Sequence, residues 1–130
     1  MEKGDKFVYS FSITEELYSG FIHLFGDKNP LHVNKEFAKS KGFADEVVHG
    51  NILGGFISYF IGECLPIKNV ILQSQEIKYR KPIYKNQELL LKAEVEEVYK
   101  SVNAIEFRFS FEEKSNAEIV AKGKIQIGII

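Results

Sequence analysis

VVHGNILGGFISYFIGECLP, residues Val47–Pro66, would be apolar on nearly every side of a helix, interrupted by Gly54, Gly55, Ser58 and Gly62. A helix with no polar face is normally buried all round. Its glycines cost helix propensity, and they point to other backbone packing close against it. Downstream the period changes. Leu89, Leu91, Ala93 and Val95 alternate with Leu90, Lys92, Glu94 and Glu96. Ile105, Phe107, Phe109 and Phe111 alternate with Glu106, Arg108, Ser110 and Glu112, and Ile119, Ala121, Gly123, Ile125 and Ile127 with Val120, Lys122, Lys124 and Gln126. A period of two sustained over three segments predicts half-buried antiparallel strands. QEIKYRKPI (Gln75–Ile83) predicts a fourth, with Pro82 near its end, where a missing donor does least harm. A sheet with one apolar face must bury that face on something. The helix starting near His49 is the only element apolar enough. The expected fold class is α+β, with an antiparallel sheet wrapped around one long central helix.

The N-terminal part supplies the remaining elements. KFVYSFSI (Lys6–Ile13) reads as a strand, rich in β-branched and aromatic residues. Thr14 suits a helix N-cap, with Glu15 and Glu16 in the first turn and Gly26 at the end. NKEFAKSKGF predicts a short helix capped by Asn34 and stopped at Gly42. YKNQ and EKSNA are turn-like connections. With 130 residues, one domain spanning 1–130 is expected, large enough for a core without disulfides.

Composition narrows the partners. The formal net charge is −1, which argues against nucleic acid, since phosphate backbones need a basic surface. No apolar window approaches the ~18 residues of a membrane-spanning helix. MEKGDKFVYSF carries no apolar signal segment, so a cytoplasmic location is expected. Cys64 is the only cysteine and reads as a small buried hydrophobe.

Two stretches carry candidate chemistry. In FGDKNPLH (Phe25–His32), Asp27 and His32 flank Asn29-Pro30. A surface turn would choose these residues for local reasons. A stiff loop holding a carboxylate and an imidazole over one water would choose them for proton transfer. In VVHGN, a loop enters the N-terminus of the apolar helix, where unpaired N–H groups and the helix dipole favour negative charge. Gly50 allows close approach to that backbone, either by a ligand or by packing. Ser58 either bonds the carbonyl four residues back or orients Asp27. Lys78, Arg80, Lys81 and Lys85 form either a solvated face or a greeting for phosphate. No set of side chains has convincing metal-ligand spacing, and no phosphate-cradling glycine loop is present.

GDKNPLH, then Ala38, then VVHGNILGGFIS resembles the MaoC-like (R)-specific enoyl-CoA hydratase/dehydratase family, which has the hotdog fold. The matching residues are Gly26, Asp27, Asn29, Pro30, Leu31, His32, Ala38, Val48, His49 and Gly50. The resemblance implies a single hotdog domain. It implies (R)-specific hydration of a trans-2-enoyl thioester, or the reverse dehydration, by an Asp27–His32 dyad. It implies that the Gly50 amide polarises the thioester carbonyl, that Asn29 shapes the loop and that Ser58 supports Asp27. His49, Asn51, Arg80 and Lys81 are the expected substrate contacts, with Asn51 standing where relatives often have an apolar residue. No metal or cofactor is expected. The implied partners are an acyl-CoA or acyl carrier protein thioester and a second copy of the chain, in a homodimer. A hotdog thioesterase and a non-catalytic acyl-thioester-binding module are the alternatives.

Overall fold

The computed structural model describes residues 1–130. Strand β1 (Lys6–Ser12) leads into helix α1 (Glu15–Phe25). Thr14 accepts the Leu17 N–H at the start of α1, and Gly26 closes it at φ +72°, so both expected caps are present. Two short helices follow, α2 (Pro30–Val33) and α3 (Lys35–Ser40). Helix α4 (Ile52–Tyr59) continues into a π-helical turn at Phe60–Cys64. Strands β2 (Val70–Tyr79), β3 (Glu88–Tyr99), β4 (Ala104–Glu113) and β5 (Ile119–Ile129) complete the chain. One antiparallel sheet has the order β1-β3-β4-β5-β2, and its apolar face packs on α4 and the π turn. This is the expected hotdog arrangement.

The core follows from the alternation. Leu89, Leu91, Ala93 and Val95 on β3 and Ile105, Phe107, Phe109 and Phe111 on β4 are all buried. They meet Ile52, Leu53, Ile57, Phe60 and Ile61 from the central helix. Phe60 is fully buried, with ring centroids 5.7 Å from Phe7, 5.8 Å from Tyr9 and 5.8 Å from Phe107. The Phe7 and Phe107 contacts are edge-to-face, and packing of that kind adds about 0.5–1.5 kcal/mol per pair beyond burial. No helix of the chain is long and apolar enough to cross a membrane.

Four expectations are corrected. The fourth strand starts at Val70 rather than Gln75 and ends at Tyr79, which leaves Pro82 outside the sheet. The central helix is buried on one face only: Gly55, Ser58, Tyr59 and Gly62 are exposed. Its glycines are not approached by backbone. A Cβ at Gly55 or Gly62 would meet nothing, and one at Gly54 only the Gln75 side chain. The close backbone approach is at Gly123, where a Cβ would collide with the Glu76 carbonyl across the β2–β5 pair. Finally, β5 changes face near its start. Phe111 pairs with Ala121 and Glu112 with Ile119, so Val120 is an extra, bulged residue. Val120 is therefore buried and Ile119 exposed, the reverse of simple alternation.

That bulge positions a wall of the site. The Val120 carbonyl accepts the N–H groups of Arg80 (2.8 Å) and Lys81 (3.2 Å), fixing the chain as it leaves β2. Three residues on, the Ile83 carbonyl accepts the Val48 N–H at 2.7 Å. The end of β2 is thereby tied to the loop that enters α4.

Replacing Phe60 by Ala should destabilise the protein by about 3–5 kcal/mol in urea unfolding, the usual cost of deleting a buried aromatic ring. Leu24, 76% exposed on α1, should tolerate Ala within about 0.5 kcal/mol.

Candidate active site

The loop between α1 and α3 is built by local hydrogen bonding. Asp27 Oδ1 accepts the Asn29 N–H at 3.2 Å, and Asn29 Oδ1 accepts the Leu31 N–H at 3.0 Å. Asn29 thus caps α2, with Pro30 in its first turn, where the missing N–H costs nothing. Asn29 and Pro30 have ordinary turn roles. Together they place Asp27 just outside a single helical turn and His32 within it.

Two histidines then tie this loop to the one entering α4. His32 Nδ1 lies 2.6 Å from the Val47 carbonyl. A carbonyl only accepts, so Nδ1 carries the proton, and in the neutral ring Nε2 presents a lone pair. His49 Nε2 lies 3.0 Å from the Asp27 carbonyl, so here Nε2 carries the proton. Each loop contributes a histidine that holds the other loop's backbone. The two rings stack, with centroids 3.9 Å apart and planes at 28°, and Phe21 covers His49 at 4.7 Å. His49 is buried, and its Nδ1 has no partner.

Between the loops the groups expected to do chemistry converge. Asp27 Oδ2 is 3.8 Å from His32 Nε2 and 4.0 Å from His49 Nε2. At 3.8 Å the pair is too far apart for a direct hydrogen bond, and a water about 2.8 Å from each atom fits. Asp27, His32, His49, Gly50, Asn51, Arg80 and Lys81 all line one cavity of about 540 Å³. The Gly50 N–H has no acceptor in the chain, as the start of a helix leads one to expect. From Asp27 and Asn51 an apolar groove continues between α1 and α4, lined by Leu17, Phe21, Phe25, Ile52 and Gly55.

Ser58 is not brought to this site. It is exposed, lines neither cavity, and makes neither of the hydrogen bonds considered for it. The α4 residues that share a groove with Asp27 are Ile52, which is apolar, and Gly55, almost one turn before Ser58, which has no side chain to offer. Among the basic residues, Lys78 pairs with Glu76 at 3.6 Å, Lys81 with Glu118 at 2.9 Å and Lys85 with Glu15 at 3.2 Å. Arg80 forms no ion pair and stands exposed at the cavity rim.

Asp27, His32 and His49 are also the one trio whose donor atoms lie within 4.8 Å of one another, the set a cation would have to use. Its hydrogen bonding works against that use. His49 Nε2 is committed to the Asp27 carbonyl, and stacked rings do not aim their lone pairs at a common point.

Two supporting residues carried no signal in the sequence. Tyr18, on α1, places its hydroxyl between the Glu46 carboxylate, to which it donates at 2.7 Å, and the His32 carbonyl. Burial, then the Glu46 hydrogen bond, raise the Tyr18 pKa well above that of a free tyrosine, so it stays a neutral donor. Tyr79, at the end of β2, lays its ring against Gly50. A Cβ at Gly50 would come within 2.8 Å of the ring, so this glycine serves packing whatever else it does. Tyr18 precedes FGDKNPLH on α1 and Tyr79 lies far from both motifs; neither belongs to a motif, and only the fold brings their side chains near.

Comparison with known proteins gives the family. The family model of the MaoC like domain matches residues 1–117. A 3-hydroxybutyryl-CoA dehydratase from Methylorubrum extorquens is 33% identical over 79 residues, covering 61% of this chain and 50% of that protein. An (R)-specific enoyl-CoA hydratase from Rhodospirillum rubrum is 33% identical over 78 residues, covering 57% of this chain and 54% of that protein. The aligned part of the chain thus spans about half the length of these relatives. The solved structure of the (R)-hydratase from A. caviae superposes with a TM-score of 0.89 at 23% identity, covering 100% of this chain and 98% of the other, which shows the shared fold. With nine-tenths of its length matched by the family model and the fold shared throughout, the chain belongs to the MaoC-like domain family.

Proposed function

We propose that this protein is an (R)-specific hydratase of trans-2-enoyl thioesters or, working in reverse, a dehydratase of (R)-3-hydroxyacyl thioesters. The observation that carries the reading is the 3.8 Å gap between Asp27 Oδ2 and His32 Nε2, a carboxyl oxygen and a ring nitrogen facing one cavity. Membership of a family that includes such hydratases supports it.

The steps follow from the groups. A water held in the gap gives one proton to the Asp27–His32 pair as its oxygen bonds C3 of the enoyl chain. The C2=C3 electron pair moves toward the thioester oxygen, which becomes enolate-like beside the free Gly50 N–H. The pair then returns a proton to C2 as the enolate collapses. One water is consumed and no proton is left over. Both groups stand together, so hydrogen and hydroxyl arrive on the same face. A preorganised donor at such an oxygen is typically worth about 10²–10³ in rate. The apolar groove past Leu17, Phe21 and Ile52 takes the acyl chain, with Asn51 at its mouth. Arg80, the unpaired cation on the rim, is placed for a phosphate of CoA or of a carrier protein's pantetheine arm, and Lys81 stands beside it.

The proposal includes a homodimer. β2 is a ten-residue edge strand, largely exposed and with one open side. Open edges of this length invite pairing with another chain. The exposed face of α4 and the π turn, with Gly55, Tyr59 and Gly62, lies on a segment already apolar and suits a second copy.

Purified protein should bleach the ultraviolet absorbance of crotonyl-CoA, or of a longer enoyl-CoA, without releasing free thiol, and should give the (R)-alcohol. Asp27→Asn and His32→Ala should each lower kcat by orders of magnitude, and the double variant should be little worse than either, because the groups act as a unit. Thiol release would favour a thioesterase. Binding without turnover would favour an acyl-binding module. An unchanged rate in both single variants would return Asp27 and His32 to the role of turn residues. Sedimentation should give about twice the 14.9 kDa chain mass, and a fully active monomer would refute the dimer.

A further inference from the structure

Tyr79 is the last residue of β2, paired with Ala121 and held in place by the Val120 bulge just beyond it. Its ring rests on the Cα of Gly50. A Cβ built there would lie 2.8 Å from Cε1, 2.9 Å from Cζ and 3.3 Å from the hydroxyl oxygen. By covalent geometry the hydroxyl is then no more than about 6 Å from the Gly50 nitrogen. Two donors can share one acceptor at hydrogen-bond distance when they are up to about that far apart.

Both donors are free. The Gly50 N–H has no acceptor in the chain. The Tyr79 hydroxyl has none either, and burial against its neighbours is all that moves its pKa, upward, so it remains a protonated donor at neutral pH. Both line the cavity that holds Asp27 and His32. Tyr79 as a residue is 49% exposed, and it faces the same cavity that an incoming ligand would enter. A glycine at position 50 is what lets the phenol come this close: any larger residue would push the ring away.

Resting on the hydratase reading, we infer that the Tyr79 hydroxyl is a second donor to the thioester carbonyl oxygen, so that the oxyanion site is a pair made by the Gly50 amide and a phenol from the sheet. The phenol donates a hydrogen bond throughout and transfers no proton. As charge moves from C2=C3 to the thioester oxygen, both hydrogen bonds shorten, and the one from Tyr79 adds to that from the helix N-terminus. The sheet then has a chemical part in the site as well as a structural one. The β5 bulge, through Arg80 and Lys81, sets the position of a catalytic residue on β2.

Tyr79→Phe isolates the hydroxyl, because the ring on Gly50 is retained. For crotonyl-CoA hydration we expect kcat to fall about ten- to a hundredfold, with KM changing less than about threefold. A packing role alone predicts no change in kcat. A second readout is independent of turnover. In the Asp27→Asn background, bound [1-¹³C]crotonyl-CoA should show its carbonyl resonance shifted downfield from the free thioester, and adding Tyr79→Phe should remove part of that shift. An unchanged kcat together with an unchanged carbonyl shift overturns the assignment while leaving the hydratase reading intact. Wild-type protein that binds the thioester with a Tyr79-dependent shift but never hydrates it refutes the hydratase reading and upholds the donor. Protein that does not bind the thioester at all refutes both.

Discussion

The reciprocal hydrogen bonds of His32 and His49 are the contact on which the site depends. Each imidazole holds a main-chain carbonyl of the opposite loop, at 2.6 Å and 3.0 Å, and the two rings stack between. Several consequences follow from this one arrangement. The carbonyl partner of His32 sets its tautomer, so its bare Nε2 faces the cavity. Asp27 is held at its backbone and leaves its carboxylate half exposed. The loop entering α4 is pinned immediately before Gly50, whose amide stays free. A buried polar side chain is tolerated because its proton is satisfied, at the cost of one unpartnered nitrogen on His49.

The rest of the fold keeps those loops within reach of each other. Phe60 and its aromatic neighbours lock the central helix to the sheet, which fixes where its N-terminus emerges. The bulge at Val120 turns the end of β2 toward that N-terminus, and the Val48–Ile83 hydrogen bond closes the circuit. Tyr18 braces the far side, from α1 to the His32 backbone. The site is therefore assembled from five separate stretches of chain. Each is tied to the next by hydrogen bonds to main-chain groups.

The sequence disclosed what is written in local periods and compact motifs. Alternation in β3 and β4 predicted their buried faces residue by residue, because antiparallel strands on one core repeat every two positions. Asp27, Asn29, Pro30 and His32 could be read together because they share one short loop. Ser58 shows the limit of such reading. It lies on the right helix, and whether a helical residue faces the site depends on the helix's rotation, which an all-apolar segment does not report. The Val120 bulge hid the face change in β5, since an inserted residue inverts a period-two pattern. Tyr18 and Tyr79 were invisible because their roles arise from long-range approach. The exposed face of the central helix was missed for a related reason: an apolar stripe looks the same whether or not the chain's own core covers it.

Nitrogen-15 NMR of the two imidazoles tests the cross-tie most directly. Long-range ¹H–¹⁵N correlation spectra of the neutral rings report which nitrogen carries the proton, and His32→Ala and His49→Gln variants supply the assignment. The cross-tie requires opposite tautomers: the proton on Nδ1 in His32, held by Val47, and on Nε2 in His49, held by Asp27. A His32 ring protonated at Nε2 would have no lone pair facing Asp27, and a His49 ring protonated at Nδ1 would release the Asp27 backbone. Either result would contradict the arrangement from which the proposed chemistry is built.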